Sequence, residues 1–318
     1  MSEKLPEIRV RTKISQEELE KKVGKIITDK DVTFVATNKC KVLKPNGDLL
    51  FIYIPKAVPE DILELSYPVL HSIQDVTDNR GLASGAKREK RHGARQARAL
   101  GVKSSIIGNI DRMGGRFPYC RTTAWTGKHA EEFRSIFPLF EHLASVFEKY
   151  VPDRYNIQKR RADATEKDWI IGNTPYTTIT VNNTYPTGVH KDVGDLHEGF
   201  SNLMCMRRGD YSGGILTFPE FRVGANLQDG DLLLMDAHEW HGNTQMTLHS
   251  EDAERISLVL YYRTNMVACG TPEEEIENAK KTVSPDFQPE DPKASDFVTT
   301  EFAGRHDPRD GIKIDIKS

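Results

Sequence analysis

Cysteine is scarce in this chain: four in 318 residues, Cys40, Cys120, Cys205 and Cys269, with no Cys-x-x-Cys pair. Such spacing excludes a zinc ribbon or knuckle and a dense disulfide framework, so the expectation is reduced, structural thiols. Long apolar runs are absent too. The longest, LLFIYI and ISLVLYY, fall far short of the ~20 residues of a membrane helix, and nothing apolar follows the charged opening at Met1. An intracellular protein is expected, not secreted and with no membrane contact. An excess of one charge is also missing. The net charge is −3, which excludes a polycation held to nucleic acid by overall charge and leaves only a local patch for that purpose. Hydrophobic residues at 37% still provide a real core, so a disordered regulator is excluded.

Ser15 with Glu18 forms a capping-box pattern that predicts a short helix to about Ile27. VTFVAT (32–37) and CKVLK (40–44) predict strands, and a turn at Pro45-Asn46-Gly47-Asp48 leads into a strand over Leu49–Ile54. Residues 59–73 are helical in period, with Pro68 as a breaker. Residues 75–115 differ in kind, being rich in Gly, Lys and Arg. Within 87–103 stand Lys87, Arg88, Lys90, Arg91, Arg95, Arg98 and Lys103 against Glu89, a local balance of +6.

A strand is expected from Arg121 to Thr126, then a helical stripe over 128–150 kinked at Pro138. From 169 to 263 the segments TTITV, FSNLMCM, GILTF, DLLLM and RISLVLYY are short and β-like, with Gly, Pro, Asn and Asp between them. That punctuation predicts a sandwich, jelly roll or barrel. A charged helix (272–283) and a polar tail follow. The expected organisation is an N-terminal α/β elaboration over 1–115, a β core over 116–265, and a C-terminal helix and tail over 266–318. The fold class is α+β.

The β half holds His190-Lys-Asp192, then His241, then Arg255-Ile-Ser257. Two imidazoles and one carboxylate on one face of a metal form the facial triad of non-haem Fe(II) oxygenases. Residues 190 and 192 of a strand share a face, so both reach one ion. With ten histidines, about one His-x-Asp is expected by chance, so the ensemble carries the reading. His129-x-Glu131 lies in a helical stretch, where residues two apart diverge, and His249-x-Glu251 has only His306 downstream. An arginine entering a buried strand needs an anionic partner, and a dicarboxylate supplies one, with Ser257 adding a hydrogen bond. His238 and His197 are weaker ligand candidates. Trp240 and Phe218 are expected in the core, and Asp236 is either a turn residue or a partner of a ligand imidazole.

The segments TGVHKDVGDL, GDYSGGILTFP, EWHGN and RISLVLYY resemble the TET/J-binding-protein branch of Fe(II)/2-oxoglutarate dioxygenases over roughly residues 116–265. The resemblance implies a double-stranded β-helix. His190, Asp192 and His241 would be the iron ligands, and Arg255 with Ser257 would hold 2-oxoglutarate. O₂ would be the co-oxidant, and the substrate a C5-methyl group of thymine or 5-methylcytosine in DNA. Tyr261 falls where that family places an aromatic against the target base. The Cys-rich zinc region of animal members and the separate base-binding domain of J-binding proteins are missing, as in a compact phage- or fungal-type member. Because Asp192 is a carboxylate, no coordination position is vacated for a halide, and hydroxylation is expected.

A base in duplex DNA must be flipped out to react. Lys87, Arg88, Lys90 and Arg91 are the expected phosphate contacts, with Asn182 and Arg263 as candidate readers of the base edge. Two alternatives remain: the same chemistry on a free amino acid, peptide or other small molecule, and a non-catalytic β-sandwich binding module. No obligate protein partner is evident.

Overall fold

Along residues 232–235, Leu232 and Leu234 pack into one apolar cluster while Leu233 and Met235 pack into another. The same alternation separates Met204 and Met206 from Leu203 and Cys205, and Ile52 and Ile54 from Phe51 and Tyr53. Strands with both faces apolar belong between two layers. The computed structural model describes residues 5–77, 83, 87–91, 94–98, 101–112 and 117–283, and it has that architecture.

In chain order the elements are β1 (Glu7–Arg9), α1 (Gln16–Glu20), β2 (Phe34–Ala36), β3 (Cys40–Leu43), β4 (Leu49–Ile54), α2 (Glu60–His71) and β5 (Val76–Thr77). Then come the hairpin β6 (Lys87–Arg91) and β7 (Ala94–Arg98), β8 (Val102–Ile110) and β9 (Arg121–Thr122). Helices α3 (Ala124–Lys128), α4 (Ala130–Ser135), α5 (Phe137–Tyr150) and α6 (Pro152–Asp163) follow. The β half contains β10 (Thr178–Asn183), β11 (Ser201–Arg208), β12 (Tyr211–Ser212), β13 (Leu216–Phe218), β14 (Val223–Ala225) and β15 (Leu232–Met235). It closes with β16 (Gly242–Asn243), β17 (Thr247–Leu248) and β18 (Glu254–Tyr261), and α7 (Pro272–Thr282) packs last.

The major sheet runs β1-β3-β4-β15-β11-β18-β10-β8-β5, with β9 beside β8. A second sheet runs β16-β13-β14-β2. The cluster between the two sheets holds Phe51, Leu203, Leu233, Phe218 and Val223. On the outer face, Leu63 and Leu70 of α2 and Leu139, Phe140, Leu143 and Phe147 of α5 cover the strands. Strands from residues 1–115 thus complete both sheets of the double-stranded β-helix. Among the described residues, no helix is long and apolar enough to cross a membrane.

Several expectations need correction. Helix α1 has its capping box but ends at Glu20, because Val23 and Ile27 leave to bridge Val189 and Thr244. Pro68 sits inside α2 without ending it. The stripe over 128–150 breaks at Ile136, and Pro138 lies in the first turn of α5, where its missing N–H costs nothing. The strand expected over 121–126 shrinks to two residues before α3 begins. Not every thiol is free: Cys120 and Cys269 form a disulfide, while Cys40 and Cys205 are buried and unpaired.

Candidate metal centre and its carboxylate pocket

His190 and His241 face each other as an isolated antiparallel bridge, exchanging two backbone hydrogen bonds of 2.9 Å. Their ring centroids are 4.4 Å apart. Each imidazole is anchored alike. His190 Nδ1 donates to the Gly188 carbonyl at 2.8 Å, and His241 Nδ1 to the Glu239 carbonyl at 2.9 Å. A carbonyl only accepts, so both Nδ1 atoms carry the proton and both Nε2 lone pairs are free for a metal.

The Asp192 backbone N–H donates to the Ala237 carbonyl at 3.0 Å. Its carboxylate oxygens lie 3.2 Å from His190 Nε2 and 3.8 Å from His241 Nε2. All ligand atoms fall within 4.8 Å of one another. Neighbouring ligands about 2.1 Å from a first-row ion stand about 3 Å apart, so the donor set fits iron. Burial, then the neighbouring His190 ring, pushes His241 down to about 4, which keeps it neutral as a ligand must be. The approach is held by Gly188, where a Cβ would sit 2.5 Å from the Gly24 backbone.

Ladder register places the second half of the site. Ser104, Asn182, Ser257 and Cys205 oppose one another across β8, β10, β18 and β11, so they share one row on one face. Arg255, one same-face step away along β18, is only 3% exposed, and its Nη2 has no hydrogen-bond partner among the described residues. A buried guanidinium with an unpaired Nη2 is costly. A carboxylate of a dicarboxylic acid is the partner it fits, with Ser257 in reach along the same face.

The base-reading candidates are less unified. Asn182 stands level with Ser257, and its Oδ1 accepts from Ser104 Oγ at 2.5 Å. Tyr261 lies four residues further along β18, about 13 Å of strand, so the structure does not bring these two together. Tyr261 lines a small recess with Asp195, Ser201 and His238. The Arg263 guanidinium lies along Gly194, and its Nε donates to buried Asp111 at 2.5 Å. The side chains of Lys87, Arg88, Lys90 and Arg91 lie outside the described residues. Their backbone is β6, paired with β7 from Lys87↔Arg98 to Arg91↔Ala94.

His238 is not a third imidazole of the triad. Its Nδ1 lies 3.4 Å from Asp236, and its ring centroid lies 4.8 Å from that of His197, the two rings tilted by 39°. Asp236 is a turn residue: Lys44 pairs with it at 3.1 Å and with Glu239 at 2.9 Å, steadying the turn that leads to His241. Burial alone would raise the Asp236 carboxyl, but His238 and Lys44 outweigh it and hold it low. Phe218 is core, stacked on Phe51 and 6.2 Å from the His241 ring. Trp240 is only half-buried, donating to Gln16 at 2.7 Å beneath the Lys191 ammonium.

Two site residues escaped sequence reasoning. Asp195 is buried beside the metal loop, accepts from Ser201 at 2.8 Å, and is pushed up to about 7 by burial and by the Asp192 charge. Asp111 fixes Arg263 from 152 residues away. Asp195 stands three residues after Asp192 within the TGVHKDVGDL segment, but nothing in the spacing marks it as buried, and Asp111 stands outside the segments that carry the resemblance.

Residues 111–264 match the Tet_JBP family, described as the oxygenase domain of the 2OGFeDO superfamily. Thymine dioxygenase JBP1 of Trypanosoma brucei brucei is 30% identical over 221 residues, 68% of this chain and 24% of that protein. Thymine dioxygenase JBP1 of Leishmania braziliensis is 28% identical, covering 69% and 25%. The chain therefore spans about a quarter of the length of the curated relatives it matches. Among solved structures, NgTET1 in complex with 5mC DNA superposes with a TM-score of 0.53 at 15% identity, covering 85% of this chain and all of that one. That likeness is one of fold. Through residues 111–264, this chain belongs to the Tet_JBP family of 2OGFeDO-superfamily oxygenase domains.

Proposed function

We propose that this chain is an Fe(II)/2-oxoglutarate-dependent dioxygenase that hydroxylates the C5-methyl group of a pyrimidine in DNA, releasing succinate and CO₂. The observation that carries the reading is the triad of His190, Asp192 and His241 together with the buried, incompletely paired guanidinium of Arg255. Curated relatives named thymine dioxygenases make thymine the first base to test, with 5-methylcytosine beside it. A DNA substrate also implies an intracellular compartment.

Iron held by the triad would supply activation of O₂, coupled to oxidation of 2-oxoglutarate. The chain's own residues do the rest. His190 and His241 are pre-oriented by the carbonyls of Gly188 and Glu239. Asp192 would complete the ligand set, and a carboxylate there favours hydroxylation over halogenation. Arg255 and Ser257 hold the distal carboxylate, which fixes where the 2-oxo end lies. Tyr261, at the other end of β18, stacks on the extruded base, with Arg263 as the polar group beside it; Asn182, level with Ser257 and bonded to Ser104, lies at the carboxylate end and is not offered to the base. The β6–β7 hairpin carries Lys87, Arg88, Lys90 and Arg91 to the phosphates.

The test is succinate formation from 2-oxoglutarate, with and without added DNA containing thymine or 5-methylcytosine. Stimulation by one DNA supports the reading. Turnover indifferent to DNA but raised by a free amino acid or peptide would reassign the substrate class.

A further inference from the structure

Arg255 is not alone in lacking a partner. The hydroxyl of Tyr211, a residue only 3% exposed, is also buried with no oxygen or nitrogen hydrogen-bond partner among the described residues. The two lie in one cluster. Tyr211 interacts electrostatically with Cys205, Arg255 and Arg207, and Cys205 with Arg255 and Tyr211. The Cys205 thiol beside the tyrosine is a weak hydrogen-bonding group and leaves the hydroxyl short of a full partner. Register explains the grouping: Cys205 opposes Ser257 and Arg207 opposes Arg255 across β11 and β18, so all four share the face that looks between the sheets.

The tyrosine ring is fixed rather than loosely packed. The Arg207 guanidinium lies 3.9 Å from its centroid and donates to its backbone carbonyl. Met246 and Ala253 pack against it. The turn that follows is pressed home at Gly213, where φ is +79° and a Cβ would meet the Gln245 carbonyl at 1.8 Å. The next residue, Gly214, lies against Arg255, whose Cδ would be 3.3 Å from a Cβ there. Arg207 itself is spent on Tyr211 and on Gln228 at 3.1 Å. One cationic donor and one neutral donor are therefore held in place, buried and incompletely satisfied, in one cluster. A buried hydroxyl without a full partner costs free energy, and the group that satisfies both donors at once is a carboxylate.

We propose that the Tyr211 hydroxyl is a further donor to the distal carboxylate of the dicarboxylic acid held by Arg255. The proposal rests on the 2-oxoglutarate reading above and extends it to a residue outside the Arg-x-Ser motif. Tyr211 acts as a binding and positioning group; it takes no proton from the reaction.

Tyr211→Phe removes one oxygen and leaves the ring in place beneath Arg207. Binding is measured by calorimetry on the Fe(II)-loaded protein without oxygen. The two probes are 2-oxoglutarate and 2-oxopentanoate, which has a methyl group where the distal carboxylate would be. Loss of a charge-assisted hydrogen bond should weaken 2-oxoglutarate roughly 10- to 100-fold, with 2-oxopentanoate unchanged. Melting without ligand should be unchanged or raised, since an underpaired hydroxyl is removed, while the upward shift caused by 2-oxoglutarate should shrink.

A 2-oxoglutarate affinity within twofold of the parent overturns the proposal. So does equal weakening of both probes, or a lowered melting temperature without ligand, either of which marks a structural tyrosine. Arg255→Met separates the two readings. If it abolishes 2-oxoglutarate binding while Tyr211→Phe does not, the site reading stands and the role of Tyr211 falls. If the unmutated protein binds neither acid, both fall.

Discussion

Asp111 is buried at the start of the matched domain, and Arg263 Nε donates to it at 2.5 Å. Asp111→Asn keeps the shape and removes the charge, leaving the Arg263 cation largely out of solvent. Breaking a buried pair on one side typically costs about 3–5 kcal/mol, because the surviving charge is uncompensated. Asp195 also faces Arg263 and supplies part of a second carboxylate, which places the expected cost at the lower end, about 3 kcal/mol. Urea unfolding at fixed pH measures it as a shift of midpoint at constant slope. The companion variant Asp111→Leu with Arg263→Met removes both charges and should lie within about 1 kcal/mol of the parent, since a buried pair is often replaceable by apolar groups. A single-variant cost under about 1 kcal/mol would refute the reasoning by showing that the pair behaves as a screened surface contact. The result also bears on function. An arginine committed to holding β18 loses activity on substitution through the fold, so activity loss in Arg263 variants must be separated from base reading.

Other expectations follow from the same geometry. Glu275 accepts from Arg112, from the Cys120 N–H at 2.7 Å and from the Gly270 N–H at 2.9 Å. Burial alone would raise its carboxyl, but these donors outweigh burial and hold it below the usual range. Its contribution is therefore complete above about pH 4.3, the ordinary Glu value, and is lost as pH falls through the folded value, so Glu275→Gln should flatten the acid limb of Tm against pH. Reducing the Cys120–Cys269 bridge, which closes a separation of 149 residues, should cost about 2–5 kcal/mol of stability in thermal melts with and without reductant. Replacing Lys87, Arg88, Lys90 and Arg91 by alanine should lessen the salt dependence of DNA binding by up to about 0.9 in log–log slope for each phosphate no longer neutralised. An unchanged slope would move the DNA surface elsewhere.

Much of the site was legible because its chemistry is written in short spacings. His190 and Asp192 are two apart, and Arg255 and Ser257 share one face of a strong strand. His241 follows the apolar run at 232–235 and is marked by Trp240 and Asn243. Asn243 accepts from both the N–H and the hydroxyl of Thr187, tying the two ligand-bearing segments together. What spacing obscured was how the histidines meet, as directly bridged partners rather than members of separate regular strands. The strand Leu49–Ile54 was legible to the residue, since six apolar residues after an Asn-Gly turn admit few alternatives. The end of α1 and the disulfide were not, because each is decided by a partner far along the chain. Tyr211, Asp195 and Asp111 share that reason. Asp195 and Tyr211 lie within the segments TGVHKDVGDL and GDYSGGILTFP, yet their spacing assigns them no role; each acquires one only from what the fold places against it.

The central claim is tested most directly by nucleoside mass analysis. The Fe(II)-loaded protein is given 2-oxoglutarate and air with DNA containing thymine alone or also 5-methylcytosine, and His190→Ala is run in parallel. The account predicts one nucleoside heavier by a single oxygen, absent with His190→Ala. Succinate formed with every nucleoside unaltered would contradict it.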